Sequence, residues 1–208
     1  MKLYTFDPAP NPKRLADFMT YKGIEIETTQ IDMMGGEQLG EDYLKINPAG
    51  TVPALVLDDG TVLTEVIGMC VYLEALYPEK PLLGNTALEK ALVTSWSHKL
   101  FAMIMMAVAD ALRNRSPNFA NRALPGPLDV PQIEALVERG KLRLNYAWPE
   151  MEKALDGREW LASDSISLAD IDLAACVGFA GWVKSAPGEE FPNILAHSAR
   201  VQAALTQS

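Results

Sequence analysis

The spacing of apolar positions divides this chain in two. Up to Tyr77 the apolar runs are short and change period often. Leu3-Tyr4-Thr5-Phe6 reads as a short buried strand. After the breaker loop Pro8-Ala9-Pro10-Asn11-Pro12, Leu15, Phe18 and Met19 recur at helical spacing, and Gly23 stops that helix. Asn11 followed by Pro12 reads as an N-cap and a proline at the first helical position. Ile24 to Ile31 alternates with period two, a second strand. Gly35-Gly36 breaks the chain, and Glu37 to Ile46 reads as a short polar helix. Asp58-Asp59-Gly60 between Ala54-Leu55-Val56-Leu57 and Val62-Leu63 signals a hairpin. Pro53 opens its first strand, where a missing N–H is tolerated. A helix from Glu65 to Tyr77 carries Ile67, Cys70, Val71 and Leu73. The order is β-α-β-α-β-β-α, and the right-handed crossover rule makes the strands at Leu3 and Ile26 parallel neighbours.

From Ala87 onward no strand pattern recurs. Leu88 to Leu112 is a long helical run, and Ser116 to Pro131 is a loop rich in Pro, Asn and Gly. Gln132 to Leu155 is a second long helix, with Pro149 as a candidate kink. Ser167-Leu168-Ala169-Asp170 has the logic of a capping box with Asp in place of Glu, and Ile166 and Ile171 stand at the staple positions. It opens a helix to Trp182, and a last helix follows Pro192-Asn193. The pattern therefore gives an α/β domain over residues 1–77, a linker over 78–86 and an all-α domain over 87–208.

Composition narrows the function. With 18 basic and 27 acidic residues and a net charge of -9, no Lys/Arg run compensates locally, so nucleic acid and anionic membranes are not expected partners. The most apolar stretch, Leu100 to Ala109, lies between Lys99 and Asp110 and is shorter than the ~20 residues of a membrane span. Met1 to Asp7 holds no long apolar segment of a signal peptide, so a cytoplasmic protein is expected. Cys70 and Cys176 form no C-x-x-C pair and read as buried small hydrophobes. His98 and His197 have no partners at metal spacing; both read as surface or core histidines, and no metal is expected.

The most informative stretch is Asn47-Pro48-Ala49-Gly50-Thr51-Val52-Pro53-Ala54-Leu55, running through Asp58-Asp59-Gly60 to Leu63-Thr64-Glu65. It resembles the glutathione-site half of the glutathione S-transferase superfamily. With the Ser-x-x-Asp box at Ser167 the resemblance covers nearly the whole chain. It implies a thioredoxin-like N-terminal domain, an all-α C-terminal domain, a homodimer, and glutathione as co-substrate. It implies a cis Val52–Pro53 bond that exposes the Val52 N–H and C=O to a peptide ligand. It assigns Glu65 to the γ-glutamyl ammonium, Val66 to the γ-glutamyl carboxylate and Gln38 to the glycine end. The second substrate, a small electrophile or a disulfide, is expected between the domains, near Trp96, Met103 and Met106 on the long helix. Thioether side chains there would suit varied apolar acceptors, although core or dimer interface is the plainer use of such Met residues.

The chain departs from the family pattern at two places. The usual serine after the glutamate is Val66. No Ser, Tyr or Cys stands in the loop before the first helix, where many members hold the glutathione thiolate. The Pro-Asn pair there resembles nu-class and related bacterial transferases, in which an Asn amide addresses the sulfur, except that Ala9 replaces a frequent Thr. Asn11 has the chemistry for it. A hydrogen bond to a charged group is worth ~1.5–3 kcal/mol, or ~1–2 units of thiol pKa, and a helix N-terminus adds free N–H groups. The plain alternative is that Asn11 only caps its helix. Three functions compete: transfer of the glutathione sulfur to an electrophile, glutathione-dependent disulfide reduction, and a non-catalytic glutathione-binding or protein-interaction scaffold.

Overall fold

The computed structural model describes residues 1–207. Strand β1 (Lys2–Thr5) lies inside a four-stranded sheet ordered β2-β1-β3-β4. β2 (Glu27–Gln30) pairs with it in parallel, Leu3 opposite Thr28, as the crossover through helix α1 (Pro10–Lys22) requires. β3 (Ala54–Val56) pairs antiparallel on the other side, Leu3 opposite Leu55, and β4 (Val62–Leu63) completes the hairpin. Gly60 supplies the φ of +85° in the turn, and Asp59 accepts from the Thr61 N–H. The fold is thus the thioredoxin-like α/β domain followed by a helical domain.

Three local readings need correction. Helix α1 starts earlier than an Asn11 cap allows: Ala9 is the cap residue, Pro10 opens the helix, and Asn11 lies in its first turn. The reason is steric. A residue before proline is pushed to extended backbone, which Ala9 adopts at φ −76° and ψ 146°, while the fixed φ of Pro10 suits the first helical position. The second strand spans only Glu27–Gln30, because Ile24 turns into the core directly after the Gly23 cap and Ile31 enters a small cluster with Tyr43 and Val52. The polar helix over 37–46 is two pieces, a 3-10 turn Glu37–Leu39 and α2 (Glu41–Ile46), parted where Gly40 is extended.

Helix α3 (Val66–Leu76) closes the first unit, and the next segment is pinned rather than loose. Glu74 accepts from the Leu82 and Leu83 N–H groups at 2.8 and 2.9 Å and pairs with the buried Lys22 ammonium at 2.7 Å. The Leu82 carbonyl accepts from the Leu168 N–H.

The long helical run is α4 (Ala87–Leu100), a π-helical turn Phe101–Met105, and α5 (Met106–Arg113). Thr86 and Glu89 cap its start reciprocally. The apolar stretch at residues 100–109 is therefore part of a helical run, Ala87–Arg113, of 27 residues, long and apolar enough by length and composition to cross a membrane. One face of it is packed into the core. Ile104, Ala107, Val108 and Ala111 are buried in the same core as Leu144 and Met151 of α6 (Glu134–Ala154) and Ile171 and Cys176 of α7 (Leu168–Gly181). Gly140 of α6 lets the backbones meet: a Cβ there would stand 2.5 Å from the Ala107 carbonyl oxygen. α6 continues through the exposed Pro149, and α8 (Pro192–Thr206) packs on α7. Leu3, Leu15, Phe18, Leu55, Met69 and Leu73 join Leu100 and Ile171 in one continuous core, so sheet and helices are fastened by apolar burial, each such side chain worth ~1.5–3 kcal/mol.

Candidate active site

The loop before β3 is built by one buried side chain. Asn47 donates to the Thr51 carbonyl at 2.8 Å and to its hydroxyl at 3.1 Å, and accepts from the Ala49 N–H. Tyr43 adds a hydrogen bond from its hydroxyl to the Thr51 carbonyl at 2.6 Å, and burial pushes that phenol up to about 12. Gly50, at φ +59°, brings the loop against the Gln38 carbonyl, which a Cβ there would meet at 3.1 Å. The Val52–Pro53 bond is cis, as the resemblance implied. Among the described residues the Val52 N–H and C=O have no hydrogen-bond partner. Gln38, which the resemblance assigns to the glycine end, is 1% exposed on its 3-10 turn, and among the described residues its Oε1 has no partner.

Glu65 is the second piece. It is the cap residue of α3 at φ +65° and ψ 120°, a conformation that L residues rarely adopt and that costs of order 1–3 kcal/mol. Its side chain makes no cap bond to the helix start. Among the described residues the exposed carboxylate has no partner, and Glu65 directly precedes the first turn of α3 with its free N–H groups. Glu65, Val66 and Ile67 line a cavity of about 190 Å³ whose other walls are Arg14 of α1, Thr94, Ser97 and His98 of α4, and Phe101 of the π-helical turn. Ser97 is 2% exposed, and its hydroxyl has no partner.

Asn11 reaches this site through Arg14. The Arg14 Nη1 donates to Asn11 Oδ1 at 2.9 Å, while Nε and Nη2 donate to the two oxygens of Asp172 at 2.6 and 3.0 Å. Arg14 and Asp172 are 3% and 1% exposed. Burial works against the guanidinium proton, but the charge and hydrogen bonds of Asp172 outweigh it and hold the Arg14 pKa above its usual value. The Cys70 and Cys176 thiols are buried and free; burial pushes Cys70 far up and Cys176 up to about 12, so neither is a nucleophile near neutral pH. Among the described residues no group of three His, Cys, Asp or Glu side chains could hold a metal.

Thr94, Ser97 and His98 of α4 and Phe101 just after it stand at i, i+3, i+4 and i+7, one face of the helical run. Trp96, Met103 and Met106 are not among the lining residues. Trp96 is half-buried with the Lys99 ammonium 5.0 Å from its ring centre, Met103 packs partly buried on the core, and Met106 is exposed. Sequence reading passed over Thr94 and Ser97 and took His98 only as a surface or core histidine. The polar face they form at helical spacing was the available signal, although nothing local ties it to Glu65.

Known proteins resemble this chain along most of its length. A model described as "Glutathione S-transferase, N-terminal domain" matches residues 10–76, and one described as "Glutathione S-transferase, C-terminal domain" matches residues 100–204. The chain is 28% identical to Glutathione S-transferase 2 of Saccharomyces cerevisiae over 97% of this chain and 85% of that one. It is 29% identical to a zeta-class glutathione S-transferase of Euphorbia esula, over 83% and 72% of the two. Among solved structures, Gtt2 from Saccharomyces cerevisiae superposes with a TM-score of 0.89 at 26% identity, covering 100% of this chain and 99% of that one.

Proposed function

Since the chain belongs to the glutathione S-transferase superfamily, we propose that it is a glutathione-dependent enzyme that transfers the glutathione sulfur to a small electrophile. Glutathione lies along the loop before β3, its backbone pairing with the Val52 N–H and C=O beside Pro53. Its γ-glutamyl ammonium meets Glu65, and its γ-glutamyl carboxylate meets the N–H groups at Val66. Gln38 stands at the glycine end, and the Asn11 amide faces the sulfur. The thiol proton leaves to solvent, a sulfur lone pair forms the C–S bond, and the leaving group departs with the electrons of its own bond. The acceptor is held between the domains, with Met103, Met106 and Trp96 on the α4–α5 side.

The observation that carries the reading is Glu65. A carboxylate without a partner, in an unfavourable backbone conformation, at a helix start and on a cavity wall is arranged for a cationic ligand group rather than for stability. The proposal includes a cytoplasmic homodimer, to which the exposed Val71 and Leu76 of α3 and Leu88 and Leu92 of α4 would contribute apolar surface. Calorimetric titration with glutathione, then turnover of a chlorodinitroarene and of hydroxyethyl disulfide, tests it. Absence of binding at millimolar glutathione refutes the reading. Binding without turnover of either acceptor favours the scaffold, and turnover of the disulfide alone favours the reductase.

A further inference from the structure

Resting on the reading that Asn11 faces the sulfur, we infer that Arg14 and Asp172 are positioning residues that fix the Asn11 carboxamide with its N–H toward the ligand. An amide can present either end to a thiol. With Oδ1 toward the sulfur it accepts from the S–H and repels the thiolate. With Nδ2 toward the sulfur it donates to the thiolate and favours it. Which end faces the ligand therefore decides the sign of the effect. Arg14 makes the choice, because a guanidinium only donates: its Nη1, 2.9 Å away, holds Oδ1 and leaves the Nδ2 hydrogens turned away, with no partner among the described residues.

Arg14 in turn has no freedom to release the amide. Its Nε and Nη2 are engaged by both oxygens of Asp172 at 2.6 and 3.0 Å in a two-point fork, and both residues are nearly fully buried. Asp172 belongs to α7, at a sequence separation of 158 from Arg14. The thiol end of a site in the α/β domain is thus oriented by a carboxylate of the helical domain. Buried ion pairs of this kind are often replaceable by apolar residues of like volume without loss of stability, which makes a neutral paired change a usable probe.

The test follows the ultraviolet absorbance of the bound thiolate against pH in four proteins. These are the unaltered protein, Asn11→Ala, the neutral paired change Arg14→Met with Asp172→Leu, and all three changes together. Circular dichroism confirms folding, and Arg14→Lys, which keeps the charge but not the fork, replaces the pair if the pair does not fold. The paired change is expected to raise the apparent thiol pKa by about 1–2 units, the worth of one hydrogen bond to a charged group. It is expected to add nothing once Asn11→Ala is present. A paired change without effect while Asn11→Ala shifts the pKa overturns the inference, as does an equal shift with and without Asn11. No glutathione binding, or no shift on Asn11→Ala, refutes the functional reading itself and the inference with it.

Discussion

Asp170 is the side chain whose removal should cost the fold most. It is 0% exposed, and its two oxygens receive four hydrogen bonds. Oδ1 accepts from the Leu161 N–H at 2.8 Å and faces His197 Nε2 at 2.8 Å; Oδ2 accepts from the Ser167 N–H at 2.8 Å and its hydroxyl at 2.7 Å. The carboxylate thereby ties the start of α7 to the preceding loop and to α8. Asp170→Ala strands two backbone donors and two side-chain groups in the interior. Each stranded group costs about 1–3 kcal/mol, and the lost cap costs about 1 kcal/mol. Against this stand the relief of a desolvated charge and a water that fills part of the space. The net expectation is about 3–5 kcal/mol, the usual cost of breaking a buried charged network. At ~2–4 °C per kcal/mol for a chain of this size, Tm falls by about 6–20 °C. Urea midpoints and thermal melts by circular dichroism measure it, and Asp170→Asn separates causes. The amide fills the same volume but turns an NH₂ against two of the four donors, so it should recover little. Asp170→Ala within about 1 kcal/mol of the unaltered protein, or Asp170→Asn close to it while Asp170→Ala is not, would refute the hydrogen-bond account.

Three further outcomes are expected. Val66→Ser should tighten glutathione binding by up to about tenfold to a hundredfold, the worth of one charge-assisted bond, while lowering Tm because Val66 is only 3% exposed; calorimetry beside a thermal melt reads both, and unchanged affinity refutes the role given to this position. Glu65→Gln should weaken glutathione binding at unchanged stability, whereas Glu65→Gly should weaken it while holding or raising Tm, since no Cβ then sits at φ +65°; retained affinity in both variants would remove Glu65 from the site. Burial raises the Cys176 thiol from 9.0 to about 12 and Cys70 further, so their contribution to stability is complete below about pH 9 and is lost as pH rises toward the folded values, by about 1.4 kcal/mol per pH unit for each thiol; urea midpoints across that window should fall less steeply in Cys176→Ser, and a flat profile in the unaltered protein contradicts the burial argument.

Much of this molecule is written in short-range pattern. The Asp59-Gly60 turn, the Gly23 helix stop and the Ser167-Asp170 box each depend on residues within a few positions of one another, and each occurs where its residues indicate. The run from Asn47 to Glu65 carried the family in the same way, because a loop, a hairpin and a helix start follow one another along the chain. The start of α1 failed by one competing local rule: two prolines flank Asn11, and the first of them took the helix-opening position.

What lies beyond that range was decided by tertiary structure. Arg14 reads as one more polar position on an amphipathic helix until α7 brings Asp172 against it, 158 positions away in sequence. Ser97 and His98 read as an ordinary polar face of α4 until α3 sets Glu65 opposite them. The separation has a physical cause. Periodicity and caps report backbone preferences that a few residues determine among themselves, so they survive in the sequence alone. A cavity wall or a buried ion pair exists only after distant elements pack, and the hydrophobic burial that brings them together is non-directional and leaves no mark on which polar groups will meet.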